Sequence, residues 1–369
     1  MSALRIAAIV HSLAGGGAEK VAAVLSGEWS ARGHQVGVFT LEHAEVSGAY
    51  SLPAEVAVNR LGLSGNSSNK LAALASLLHR VRRLRSALRA FKPDVAVAFV
   101  SEVNVLTTLA CLGTGIPVVI SEHCHPDYFR IGRDWELLRR LTYPLADALV
   151  AVSDGVLDCF SWLRIPRRTI YNPTALFQVA PLLADPARTK RLVVAAGRLT
   201  HQKGFDILIR VFARLASEHA DWQLVIYGEG PDRESLEALI EASGAAGRIT
   251  LPGRVDNLDR RLAEGDLFVM PSRFEGFGNV LVEAMNVGLP VVAFDCPSGP
   301  SEVVSDGENG FLIPAGDEDA LGDAMRRLMA DADLRSEFGS NGYAASERFS
   351  VDRITDDWDA IIATVVGKA

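Results

Sequence analysis

The sequence predicts an α/β protein built from two doubly wound, parallel-sheet domains, and three observations lead there. Short apolar runs recur along all 369 residues and alternate with longer stretches of helical periodicity. A glycine-bearing turn follows a strand in each half, at Gly15-Gly16-Gly17 and again at Gly197. A polar, proline-bearing stretch at residues 181–190 separates the halves. Strands alternating with helices imply parallel sheets covered on both faces, because each crossover lays a helix over the sheet.

Taken in order, residues 4–10 read as a buried first strand, followed by the glycine loop and a helix from about 18 to 32. Residues 35–41, 95–100, 118–121 and 148–152 read as further strands of the same sheet, and Tyr171-Asn172-Pro173 closes that domain. The second sheet comprises 192–197, 223–227, 249–251, 267–270 and 291–294, covered by helices 319–330, 332–349 and 351–366. The expected division is 1–180, 181–350 and a last segment, 351–369. Ligands in such folds lie beyond the carboxyl ends of the strands, so two facing domains place the site in the cleft.

The stretch 271–290, PSRFEGFGNVLVEAMNVGLP, holds the strongest chemical signal. Gly276 and Gly278 permit close backbone approach, and a helix starts near Asn279, with Val280, Leu281, Ala284 and Met285 at core-facing spacing. Glu275 precedes the helix and Glu283 lies about one turn into it, while the helix start offers free N–H groups and a positive dipole end. Two carboxylates flanking a phosphate site suit a diphosphate with hydroxyl-rich rings at both ends, a sugar nucleotide. Upstream, the strand ending at Gly197 is followed by Arg198 and Lys203 in RLTHQKG. A guanidinium fork and a mobile ammonium there would neutralise a diphosphate.

At this point the chain resembles the retaining glycosyltransferases of family 4, which have the GT-B fold of two Rossmann-like domains facing across a cleft. The resemblance rests on GRLTHQKGFD from Gly197, YGEGPDRESLE from Tyr227, LPGRVDN from Leu251 and EGFGNVLVEAMNVGLPVVAFDCPSGPSEVV from Glu275, with AGGGAEK from Ala14 and ADALVAVSDGV from Ala146. It implies that Glu283 holds ribose hydroxyls and Glu275 the transferred sugar, assisted by the backbone of Phe277, Gly278 and Asn279. It also implies that the base lies along Gly253, Arg254 and Val255, that Gly16 approaches the diphosphate, that the last helix, within 351–369, crosses back to the first domain, and that His123 stands near the donor sugar. His125 competes for that last place, because the spacing in EHCHPD is ambiguous. Arg198 and Lys203 would stabilise the leaving diphosphate without a metal or other cofactor, and the acceptor hydroxyl would attack from the same face. Glu275 as covalent nucleophile is the minority mechanism.

The charge of −8 hides an asymmetry: residues 1–180 carry 18 Lys+Arg against 14 Asp+Glu. Much of the excess falls in residues 70–92, where Leu74, Leu77, Leu78, Val81, Leu84 and Leu88 form a helical stripe beside Arg82, Arg83, Arg85 and Arg89. Those arginines are candidates for an anionic membrane surface or the phosphates of a lipid-linked acceptor; the plainer reading is a packed helix with a solvated face. No aromatic interleaving supports nucleic acid. Four scattered cysteines and no leader point to a reducing cytoplasm, and no apolar run reaches the roughly 18 residues of a membrane span.

Other motifs carry less. Gly15-Gly16-Gly17 with Glu42 lacks the G-x-G-x-x-G spacing of dinucleotide sites. His123-Cys124-His125 has no second ligand pair. Asp331/Asp333 and Asp357/Asp359 lie in polar helices away from strand ends. The expectation is a cytoplasmic, peripherally membrane-associated hexosyltransferase using a nucleotide sugar, with UDP as the expected nucleotide, and a polyprenyl-diphosphate saccharide or soluble glycan as acceptor. The alternatives are a sugar-nucleotide epimerase of the same architecture and a non-catalytic nucleotide-sugar binding protein.

Overall fold

The computed structural model describes residues 3–42, 50–63, 70–174 and 191–367, and the expected hinge at 181–190 lies outside them. The chain divides into two units, Met1–Pro173 with Val351–Ala369, and Thr174–Ser350. The division thus falls at 173/174, and the last helix belongs to the first unit.

The first unit holds seven strands, β1 (Arg5–Val10), β2 (Gln35–Thr40), β3 (Ala57–Arg60), β4 (Val95–Phe99), β5 (Val118–Glu122), β6 (Ala148–Ala151) and β7 (Arg167–Thr169). They form one sheet in the order β3-β2-β1-β4-β5-β6-β7, every neighbouring pair parallel. Its helices are α1 (Gly17–Ala31), α2 (Lys70–Phe91), α3 (Ser101–Cys111), α4 (Arg133–Thr142) and α5 (Asp154–Asp158). The central strands β4, β5 and β6 are buried along their whole length, as expected of parallel strands covered on both faces. The edge strands β3 and β7, AVNR and RRT, are largely open to solvent and carry no apolar run, so hydrophobic periodicity misses them.

The second unit orders its strands β10-β9-β8-β11-β12-β13, again all parallel. They are β8 (Arg191–Ala196), β9 (Trp222–Tyr227), β10 (Ile249–Gly253), β11 (Leu267–Met270), β12 (Val291–Asp295) and β13 (Gly310–Pro314). The helices are α6 (Phe205–Leu215), α7 (Arg233–Ala242), α8 (Leu258–Ala263), α9 (Asn279–Asn286), α10 (Pro300–Val303), α11 (Glu318–Ala330) and α12 (Ala332–Ser346). In α6 the residues Ile207, Leu208, Val211, Phe212 and Leu215 are all buried and meet Trp222, Leu224 and Ile226 of β9 in one core. Strand order reverses between β8 and β11, so the loops leaving these two neighbours lie side by side.

The final helix, α13 (Val351–Val366), sends Ile354, Trp358, Ile361, Ile362 and Val365 into the first unit's core beside Leu25 and Trp29 of α1. Trp29 meets Trp358 edge-on at 6.1 Å and donates its indole N–H to Asp359 at 3.1 Å. Arg32 reaches the α13 carboxylates of Asp356 at 2.6 Å and Asp359 at 3.0 Å.

Helix α2 departs from its expected stripe. Leu84 and Leu88 are buried, but Leu74 and Leu78 stand 55% and 46% exposed.

Candidate functional site

The β8–α6 loop and the β11–α9 loop of the second unit are stitched into one body. Arg273 forks onto Asp206 with two bonds of 2.8 Å and donates to the His201 carbonyl at 2.7 Å. The Gln202 amide donates to the Phe274 carbonyl at 3.0 Å, and the Arg273 N–H to the Gln202 carbonyl at 2.8 Å. Burial pulls the Asp206 carboxyl upward, but hydrogen bonds and charge from Arg273 and Arg210 outweigh it and hold the group at about 2. Gly204 turns the chain at φ 65°, where a Cβ would lie 2.0 Å from the Pro271 carbonyl.

Within this body Lys203 and Glu275 meet directly. The Lys203 ammonium donates to Glu275 Oε1 at 2.6 Å, and the Ser272 hydroxyl to the same oxygen at 2.7 Å. The Glu275 side chain is only 6% exposed, so the pair is poorly screened. The sequence reading gave these residues separate duties; the structure adds that they are paired, so that Lys203 is partly neutralised. Arg198 is exposed and forms no ion pair among the described residues, leaving its fork open for an anion. Helix α9 starts after Gly278 at φ 93° with no side-chain cap. Phe277 and Gly278 are buried, Asn279 is half-buried, and Glu283 lies one turn in at 9% exposure.

Gly253, Arg254 and Val255 stand at the end of β10, two strands from β8. They connect to the loops through a ladder, with the Gly228 N–H bonded to the Gly253 carbonyl at 2.9 Å and the Leu199 N–H to the Glu229 carbonyl at 3.0 Å. Arg254 is exposed and Val255 half-buried. Sequence reasoning quoted SGPSEVV but assigned it no place. Ser298, at φ 60°, donates to the Glu275 carbonyl at 2.7 Å. Gly299 lies where a Cβ would sit 2.3 Å from the Phe277 carbonyl. These residues hold the Glu275 loop in place; the Ser298-Gly299-Pro300 turn sequence was the available signal.

In the first unit, His123 follows β5. Its Nε2 lies 3.0 Å from the Ser121 hydroxyl, while Nδ1 is covered and has no partner among the described residues. Burial lowers its pKa to about 3, so the ring is neutral at physiological pH. His125 is engaged on both sides, with Nε2 3.4 Å from Cys159 Sγ and Nδ1 accepting the Asp127 N–H at 3.3 Å. His123 is therefore the one with an unsatisfied ring nitrogen. Glu122 is buried and accepts from Ser101, Asn104 and Tyr143, which anchors the strand end that carries His123. Burial raises its carboxyl pKa despite these bonds. Sequence reasoning passed over Glu122, because a polar residue at a strand end looks solvated.

Gly16 precedes α1, and the site a ligand anion would take beside it is already occupied by Glu19. The Glu19 carboxylate accepts the Gly15 N–H at 2.8 Å and the Ser12 hydroxyl. An anion approaching the Gly15 N–H would first meet that carboxylate.

Of the α2 arginines, Arg82, Arg83 and Arg89 are exposed and have no ion pair among the described residues. Arg85 is not: its guanidinium donates to the carbonyls of Leu109, Ala110 and Leu112 at 2.9–3.0 Å, closing the C-terminus of α3. Arg85 thus leaves the basic face and belongs to the scaffold. The aspartate pairs of the C-terminal helices are also largely engaged, Asp331 capping α12, Asp357 pairing Arg168 at 2.5 Å and Asp359 pairing Arg32. The grouping of metal-ligand type among the described residues is instead His125, Asp127 and Cys159, with ligating atoms within 4.8 Å of one another.

The profile "Glycosyltransferase Family 4" matches residues 15–176, and "Glycosyl transferases group 1" matches 184–345. The chain is 27% identical over 365 residues, 98% of its length and 99% of the relative's, to a Campylobacter jejuni enzyme. That enzyme is named as a GalNAc-alpha-(1->4)-GalNAc-alpha-(1->3)-diNAcBac-PP-undecaprenol alpha-1,4-N-acetyl-D-galactosaminyltransferase. It is 32% identical over 65% of its length to the lipopolysaccharide core biosynthesis glycosyltransferase LpsE of Rhizobium meliloti, covering 72% of that protein. It is 29% identical over 77% of its length to an exopolysaccharide phosphotransferase of Streptomyces coelicolor, spanning only 30% of that longer chain. Among solved structures, sucrose-phosphate synthase from Thermosynechococcus elongatus superposes with TM-score 0.85 at 19% identity, covering 99% of this chain and all of that one. Anabaena HepE, solved with UDP and glucose, gives TM-score 0.78 at 21% identity over 98% and 99% of the two chains. Both likenesses concern the fold.

Proposed function

This chain belongs to glycosyltransferase family 4, with the GT-B fold, and from that premise we propose that it transfers a hexose or N-acetylhexosamine from a UDP-linked donor, with retention, to a polyprenyl-diphosphate saccharide. One observation carries the donor half of this reading: the paired Lys203–Glu275 and the exposed Arg198 fork share one body with the start of α9, whose N-cap is Gly278. That body offers cations and backbone donors for a diphosphate, with Glu283 one turn further on for the ribose. Glu275, held by Lys203 and Ser272, keeps its second oxygen for the transferred sugar's hydroxyls. Gly253 to Val255 take the base, and His123 gives a neutral imidazole for a sugar hydroxyl. Retention follows the front-face route, in which the departing phosphate oxygen takes the acceptor's proton. Arg198, Lys203 and the α9 start would supply the charge stabilisation that a resident metal supplies elsewhere. The lipid-linked acceptor is supported by the Campylobacter relative, whose name specifies an undecaprenyl-diphosphate saccharide and which this chain matches end to end. The test is transfer of labelled sugar from a panel of UDP-, GDP- and ADP-sugars to polyprenyl-diphosphate saccharides; no transfer from any donor would sink the reading.

No helix among the described residues is long and apolar enough to cross a membrane. We place the protein at the cytoplasmic membrane face, held by Arg82, Arg83 and Arg89 together with the exposed Leu74 and Leu78. Changing the three arginines to Gln is expected to weaken binding to anionic vesicles by about 1 kcal/mol per charge, and added salt to imitate it. Arg85→Gln should instead lower the thermal midpoint and leave vesicle binding alone, since it uncaps α3. Vesicle sedimentation of both variants separates the two roles.

A further inference from the structure

A cavity of about 750 Å³ opens in the first unit between the 126–133 loop, the start of α4 and the 159–162 segment. It lies within the size range of small-ligand sites. Four guanidinium groups line it, from Arg130, Arg133, Arg139 and Arg140. The carboxylate of Glu136 is taken by Arg139 and, at 3.3 Å, by Arg140. Arg130 and Arg133 are exposed and make no ion pair or hydrogen bond among the described residues. Asp127 is the one other carboxylate on the wall, so the cavity keeps an excess of positive charge. Helix α4 begins here after Gly132 at φ 87°, with Asp134 and Glu136 in its first turn, so the excess charge of the cavity comes from the arginines rather than from the helix end. Trp162, on the same lining, is 46% exposed, a broad apolar ring left bare in a cavity that also holds the cations.

Cations converging in a concavity beside an unused aromatic face suit a ligand with an anionic end and a ring attached to it. A nucleic acid would call for a charged stripe along the surface rather than a bounded cavity. We propose that this cavity binds the phosphorylated end of a saccharide, with its oxygens on Arg130, Arg133 and Arg140 and the adjoining sugar ring laid on Trp162. Calling that saccharide the acceptor rests on the reading of the previous subsection; the binding itself does not. The chemistry is shared by a lipid-linked diphosphate saccharide and a soluble sugar phosphate.

The experiment is calorimetry on the full chain saturated with UDP, so that phosphate sites in the donor unit are filled. The probes are inorganic diphosphate, N-acetylhexosamine 1-phosphate and a short-prenyl diphosphate N-acetylhexosamine. The parent is expected to bind one further equivalent. Arg130→Gln with Arg133→Gln should weaken every probe tenfold or more, leaving UDP affinity and the thermal midpoint unchanged. Trp162→Ala should weaken the two sugar probes at least fivefold and inorganic diphosphate less than twofold. Tighter binding of the prenyl probe assigns the site to a lipid-linked acceptor, and tighter binding of the monophosphate to a soluble one. No further equivalent in the parent, or parent-like affinities in the double variant, would overturn the site. Equal losses of all probes on removing Trp162 would overturn the ring assignment. Because the readout is binding, a failure to transfer any sugar leaves this result standing.

Discussion

Lys203→Ala is expected to lower kcat by about two to three orders of magnitude with little change in donor KM, the range seen when a preorganised charge donor is removed. Charge on the departing diphosphate grows as the sugar bond breaks, so a cation there acts more on the transition state than on the bound donor. The structure adds a second cost. Lys203 lies 2.6 Å from the nearly buried Glu275, and its removal leaves that carboxylate with the Ser272 hydroxyl as its recorded side-chain donor. Breaking such a pair costs about 3–5 kcal/mol. Pairing the change with Glu275→Gln separates the effects: the double variant should recover thermal stability but not kcat. Glu283→Gln should behave oppositely, raising donor KM while kcat holds, because ribose contacts are alike in both states. A Lys203→Ala enzyme with the parent kcat would remove Lys203 from the chemistry.

Gly228→Ala is expected to destabilise the second unit by about 3 kcal/mol or more, from backbone strain added to steric overlap. Gly228 sits at φ 145°, and a Cβ there would lie 1.8 Å from the Gly197 carbonyl. Neither backbone can yield cheaply, since Gly197 donates to the Tyr227 carbonyl and Gly228 to that of Gly253, both at 2.9 Å. The loop displaced would be the one carrying Arg198 and Lys203, so activity should fall with stability. Gly247→Ala, where a Cβ meets nothing within 4 Å, is the matched control and should stay within about 0.5 kcal/mol of the parent. Urea midpoints of the two variants provide the comparison, and a parent-like Gly228→Ala midpoint would contradict the steric argument.

The central strands and the long helices were legible because burial on both faces writes continuous apolar runs and one-sided burial writes a 3.6-residue stripe. Helix α6, Phe205–Leu215, and α13, Val351–Val366, have the bounds their periodicity implies. Edge strands β3 and β7 were not legible, since exposed strands need no apolar pattern. In the candidate site, Glu275, Lys203 and the start of α9 stood out by residue type and by glycines. Their pairing was hidden because it depends on β8 lying beside β11, a neighbour relation that spans over seventy residues of chain. Arg85 misled for a related reason: a basic residue on a helix looks solvated until the carbonyls of a neighbouring helix end are in view. Glu19 was illegible likewise, since nothing in the glycine loop announces the carboxylate that accepts the Gly15 N–H.

The return of α13 to the first unit has a consequence for how the chain is made. Residues 354–365 complete a core whose other side chains include Ile6, so that core stays open until residue 365 has left the ribosome. At about 5–20 residues per second, synthesis of Thr174–Ser350 alone takes roughly ten to thirty-five seconds. The second unit, contiguous in sequence, can close within that interval, while β1, α1 and β4 wait with bare apolar surface. Order of birth and order of folding are thus reversed: the unit translated first is the last to be finished.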